Sequence, residues 1–129
     1  MPIPASKSPP PVLALISDLL FRSKIDDAAR QSGVPLRVAK SVEQLDRHLA
    51  NAIPVVVLVD LEMSESAALL ARLRASSGAA TVPVIGFAGH TNVDVIRAAR
   101  ADGVQVMARS AFVDQLPTLM SRLAAAHGD

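Results

Sequence analysis

From Val12 onward, short apolar runs alternate with longer amphipathic stretches, five times over, and this rhythm restricts the chain to an α/β fold. The apolar runs are Val12 to Ser17, Leu36 to Ala39, Val55 to Asp60, Val84 to Ala88 and Val104 to Ala108. Val55-Val56-Val57-Leu58-Val59 has no polar face, as a parallel strand covered by helices on both sides requires. Pro35, Pro54 and Pro83 each stand just before a run, where a missing N–H costs least.

Between the runs, apolar residues fall at helical spacing. They are Ile25, Ala28 and Ala29; Val42, Leu45 and Leu49; Leu69, Leu70 and Leu73; Val93, Ile96 and Ala99; and Leu116, Leu119, Met120 and Leu123. Three helix starts are predicted from a hydroxyl followed three residues later by an acceptor: Ser23 with Asp26, Ser41 with Gln44, and Thr91 with Asp94. Gly33, Asn51, Gly78, Gly103 and Gly128 are the expected helix stops, because they tolerate a left-handed turn.

A length of 129 residues accommodates one domain, read here as residues 12–127. Residues 1–11 hold five of the nine prolines and read as a flexible, Pro-rich leader. They contain no unbroken apolar segment of the secretory kind, so a cytoplasmic location is expected. Nor does any stretch approach the roughly 20 apolar residues of a membrane-spanning helix. With 13 basic against 12 acidic side chains, the charge balance offers no field for nucleic acid or an anionic membrane, and neither is an expected partner. The absence of Cys excludes disulfides, zinc thiolates and thiol nucleophiles. No Trp or Tyr and only three Phe leave no platform for stacking single-stranded bases.

Chemistry in an open parallel sheet collects at the carboxyl ends of its strands. There the sequence places Ser17-Asp18, Lys40-Ser41, Asp60-Leu61-Glu62, Phe87-Ala88-Gly89-His90 and Arg109-Ser110. If the first and third strands are neighbours, Asp18 and Asp60 lie beside one another at a strand spacing of about 5 Å. Two carboxylates so placed repel, and such a pair holds either a hard divalent cation or one carboxyl of raised pKa. The competing reading of each Asp is a helix cap or turn residue.

Other candidates carry less. His90 has no second His nearby and reads as a solvated loop residue, and His48 and His127 read as surface positions. Gly86 and Gly89 do not make a dinucleotide fingerprint, because Leu19-Leu20-Phe21 follows the first strand where a Gly-rich turn is required. That apolar triplet is expected in the first loop, as core or as a partner contact. Arg22, Lys24, Arg72, Arg74, Arg97 and Arg100 are spread over several helices and read as solvated faces. No Ser, His and acid arrangement on a strained nucleophile turn is present, so a hydrolytic enzyme is not expected.

The strand and helix order, Asp18 after the first strand, Asp60 after a Val-rich third strand and Arg109 after the fifth together carry a resemblance. From Val12 to about Ala126 the chain resembles a CheY-like receiver domain of two-component response regulators. The resemblance implies a three-layer, doubly wound, five-stranded parallel sheet of strand order 2-1-3-4-5, the flavodoxin/CheY-like architecture. It puts Asp60 at the phosphoacceptor position, which in that family takes a phosphoryl group from a histidine kinase. It also implies Mg²⁺ held by Asp18, Asp60 and the backbone carbonyl of Glu62.

The chain departs from the family pattern at several positions. Ser17 replaces the first of two acids, so Mg²⁺ binding is expected to be weak. Phe87 stands for the small hydroxyl residue that ends the fourth strand, and Val106 for the aromatic residue that moves with it. Arg109-Ser110 replaces Lys-Pro. Without Pro a cis peptide there costs about 2.5–4 kcal/mol, so a trans bond and a shifted Arg109 are expected, pointing to solvent or pairing with Asp60. The Met63-Ser64-Glu65-Ser66 loop lacks the usual Pro and Gly, so a different loop shape is expected.

The expected function is a stand-alone, non-enzymatic signalling module of a two-component phosphorelay. Its switch is degenerate, and it acts through protein–protein contacts with a histidine kinase or another signalling protein. The alternatives are a phosphorylation-independent pseudo-receiver scaffold and a flavodoxin-like binder of a nucleotide or other small ligand at the edge from Gly86 to Thr91 with Ser17. The resemblance makes the fourth helix, fifth strand and fifth helix the surface for output and for a homodimer, presenting Val95, Arg97, Phe112 and Ala124 to Ala126. Output then passes to a separate protein, unless the chain is part of a longer one.

Overall fold

Side chains alternate along each strand, and in this sheet both sets find a helix layer to bury them. The computed structural model describes residues 9–89 and 91–128; residues 1–8 of the expected leader, His90 and residue 129 lie outside the described residues. The elements are β1 (Val12–Leu15), α1 (Leu19–Ser32), β2 (Leu36–Ala39), α2 (Val42–Asn51), β3 (Val56–Asp60), α3 (Ser66–Ala75), β4 (Val84–Ala88), α4 (Val93–Ala101), β5 (Gln105–Ala108) and α5 (Arg109–Gly128). All strand pairs are parallel, in the order β2-β1-β3-β4-β5. The expected doubly wound, three-layer architecture is therefore present.

On one face Leu13, Leu15, Val57 and Val59 pack against Leu45 of α2, Leu69, Leu70 and Leu73 of α3, and Ala99 of α4. On the other, Val12, Ala14, Val56 and Leu58 pack against Phe21, Ile25, Ala28 and Ala29 of α1 and Phe112, Leu116 and Met120 of α5. All five residues of β3 are buried, which explains why its sequence reads as one apolar run. Pro11 also belongs to this body: its carbonyl accepts from Val55 N at 2.9 Å. Among the described residues, no helix is long and apolar enough to cross a membrane.

Several local expectations are corrected. α1 starts at Leu19 and is capped by Asp18, not by Ser23, so Leu19-Leu20-Phe21 is the first helical turn rather than a loop. Ser41 does cap α2, accepting from Gln44 N. α4 begins after Asn92 rather than Thr91, with no side-chain cap bond. α2 passes through Asn51 to an extended Ala52, and α3 stops before Ser76 rather than at Gly78. Gly33 (φ 70°) and Gly103 (φ 82°) do take the left-handed conformation that terminates α1 and α4. Val42 and Val93 are exposed rather than core. His48 is half-buried, its Nε2 lying 2.9 Å from the Val38 carbonyl oxygen; the side chain of His127 is outside the described residues.

Phe112, expected on the output face, is only 2% exposed. It stacks on Phe87 with ring centroids 4.4 Å apart, and Phe87 stacks on Phe21 at 4.5 Å. All three phenylalanines of the chain thus form one cluster between β4, α1 and α5. Truncating its fully buried middle member, Phe87→Ala, is expected to lower stability by about 3–5 kcal/mol, much of a small domain's total. Urea unfolding of the two proteins measures the loss.

Candidate functional site

The strand order brings the ends of β1, β3, β4 and β5 to one rim. Leu15 is in register with Val59, so Ser17 and Asp18 emerge beside Asp60. Asp60 is in register with Phe87, and Ala88 with Ala108, which sets Arg109 one residue beyond. The rim is therefore a consequence of where four hydrophobic strands stop.

Asp60 is 7% exposed, and it alone among polar or charged residues is buried within the described chain. Its Oδ1 accepts from Glu62 N at 2.9 Å and lies 3.7 Å from Arg109 Nη2. Burial pushes its carboxyl above the ordinary range, helped by the charges of Glu62 and Asp18; the Glu62 N–H and Arg109 oppose this without reversing it. Asp18 is near enough for its charge to be felt there. Its side chain is nevertheless engaged elsewhere: Oδ1 accepts from Leu20 N at 2.9 Å and Phe21 N at 3.1 Å, the N-cap bonds of α1. Ser17 is exposed.

Glu62 is held by two side chains. Arg109 Nη2 donates to Oε1 and Asn92 Nδ2 to Oε2. The Gly89 backbone runs beside the same carboxylate, and these neighbours, Arg109 first, hold the Glu62 carboxyl below its ordinary range against a smaller burial effect. The Arg109 guanidinium, facing Glu62 on one side, lies over the Phe21 ring at 5.2 Å and the Phe87 ring at 5.4 Å from their centroids. Arg109 accordingly turns inward, and its peptide bond to Ser110 is trans.

Divalent metal chemistry needs several oxygen donors converging on one point. Among the described residues no three acidic or His side chains are arranged to hold a metal ion. Asp18 is occupied as a cap, and a guanidinium stands beside Asp60 and Glu62. A cation held by the expected set, Asp18, Asp60 and the Glu62 backbone carbonyl, would have to share the rim with that guanidinium.

The switch counterparts are also accounted for. Phe87 is buried in the aromatic cluster, the next residue Ala88 has no hydroxyl either, and Val106 packs toward the α2, α3 and α4 side of the sheet. The altered loop folds back through Met63 N to the Asp60 carbonyl and Ser66 Oγ to the Leu61 carbonyl, burying Met63. Gly86 leaves no room for a ligand, since a Cβ there would meet Leu61 Cδ1 at 2.8 Å. Asn92 was not singled out in the sequence, and Gly89 only as part of the strand-end edge; Phe21 and Phe112 were expected as a first-loop residue and an output-face residue, not as the floor of the rim. The one sequence signal for the last two is that the chain has only three phenylalanines to place.

Because ionised Asp60 is disfavoured in the fold, its charge costs stability as pH rises past the ordinary value of 3.8. Asp60→Asn keeps an acceptor for Glu62 N. It is expected to melt higher than the parent at neutral pH, with the gain fading on acidification and absent well below pH 3.8. Thermal unfolding across pH reads this directly.

No family model matches the sequence, and no curated protein matches it. Solved structures do. The chemotaxis response regulator CheY4 of Vibrio cholerae superposes with a TM-score of 0.72 at 15% identity, covering 89% of this chain and 98% of that one. A response regulator of Thermotoga maritima gives 0.70 at 18% identity, with 91% and 98% covered. The receiver domain of a Pseudomonas aeruginosa sensor histidine kinase, described with a magnesium ion coordinated in its active site cleft, gives 0.71 at 15% identity, again with 91% and 98% covered. Identities this low speak to architecture, and the architecture is unambiguous: this chain has the CheY-like fold of response-regulator receiver domains.

Proposed function

We propose that the chain is a receiver-like signalling module that acts by binding partner proteins, with its acidic rim held in one state by Arg109 rather than cycled by phosphoryl transfer. A carboxylate that attacks phosphorus must be ionised and accessible, with cations free to neutralise the equatorial oxygens. Asp60 is the candidate phosphoacceptor by position, but burial disfavours its ionised form. The nearby cation is committed to Glu62 and backed by two aromatic rings. The single observation that carries the reading is this placement of Arg109 beside both carboxylates, where a receiver of the usual pattern would need a metal.

Phe87, Ala88 and Val106 support the same conclusion, because none can relay a phosphoryl group's arrival as a hydroxyl and an aromatic partner would. Output is proposed to run through the α4, β5 and α5 face toward a histidine kinase, another signalling protein or a second copy. Phe112 is not available to that surface, whereas Arg97 is.

Incubation with acetyl phosphate and Mg²⁺, followed by intact-mass measurement, is expected to give no phosphoryl adduct on the parent chain. A stable adduct that Asp60→Asn abolishes would overturn the phosphorylation-independent reading and restore Asp60 as a working phosphoacceptor.

A further inference from the structure

The groups around Glu62 are drawn from two separate segments, the β4–α4 connection and the start of α5. The donors are Arg109, from the first turn of α5, and Asn92, from the cap position of α4, in the same connection as Gly89. A Cβ placed on Gly89 would lie 3.5 Å from Glu62 Oε2, so this backbone runs directly against the carboxylate. A guanidinium and a side-chain amide converging on one carboxylate from different elements, with a glycine backbone passing close beside it, make an oxyanion receptor. Here a side chain of the same molecule fills it, with 28% of that side chain still exposed.

We infer that Glu62 is the built-in occupant of an oxyanion-binding site, and that removing its carboxylate opens that site to a small free oxyanion of the phosphate class. The inference rests on the proposed reading of Arg109 as the rim's resident cation. It goes further by assigning Glu62 the part of a ligand. Three loops then stay tied together with no external anion, since the internal one is present at an effective concentration no diffusing phosphate matches.

The comparison is made in the full chain carrying Asp60→Asn, so that no adjacent carboxylate repels an added anion. Inorganic phosphate is titrated while the Gly89 amide and Arg109 Nε resonances are followed by NMR. Adding Glu62→Ala is expected to tighten phosphate binding by about ten-fold or more, the worth of one charge-assisted hydrogen bond. A further Arg109→Ala is expected to abolish the gain. Circular dichroism checks folding, and Glu62→Ser, which vacates the same space, serves should Glu62→Ala not fold. Binding no tighter than in Asp60→Asn alone, or a gain that survives Arg109→Ala, would overturn the inference. The readout is non-covalent and made without Asp60, so a phosphoryl adduct on the parent chain would sink the proposed function and leave this result standing.

Discussion

A carboxylate at the end of a strand buried on both faces must be compensated by its surroundings, and the rim is organised around that demand. Asp60 continues β3, whose four preceding residues are fully apolar, so its charge faces little water. One N–H from Glu62 and one cation from Arg109 answer it. That cation would itself be costly to hold against a hydrophobic core without compensation. It lies over the Phe21 and Phe87 rings and meets Glu62. Guanidinium suits this position as ammonium would not, because its planar ion can stack and donate at once.

Two of the residues that differ from the receiver pattern, Phe87 and Arg109, are in contact rather than scattered. Phe87 in place of a hydroxyl supplies the surface on which Arg109 lies, and Arg109 in place of Lys supplies the plane that can lie there. Coupling of this kind means single reversions toward the family pattern disturb a packed arrangement before they restore any chemistry.

Much of the fold was legible in the sequence because parallel strands buried on both faces leave continuous apolar runs, and β2 and β4 match theirs residue for residue. Helix starts were less legible. Asp18 can be a rim acid or a cap, and only the positions of the Leu20 and Phe21 N–H groups decide it. Phe112 was misplaced although the signal was there: Phe112, Leu116 and Met120 recur every four residues and form the buried stripe of α5. The site was legible in its acidic members and in Arg109. The partners of Glu62 were not, since residues 89, 92 and 109 meet only through strand order and register, which local sequence does not encode.

The aromatic stack has one more consequence. With neither Trp nor Tyr in the chain, every ring chromophore sits in the Phe21, Phe87 and Phe112 cluster beneath Arg109. The fine structure of the near-ultraviolet dichroism of phenylalanine is thus a built-in optical gauge of the rim's foundation, sensitive to the floor of the site and silent about the rest of the molecule.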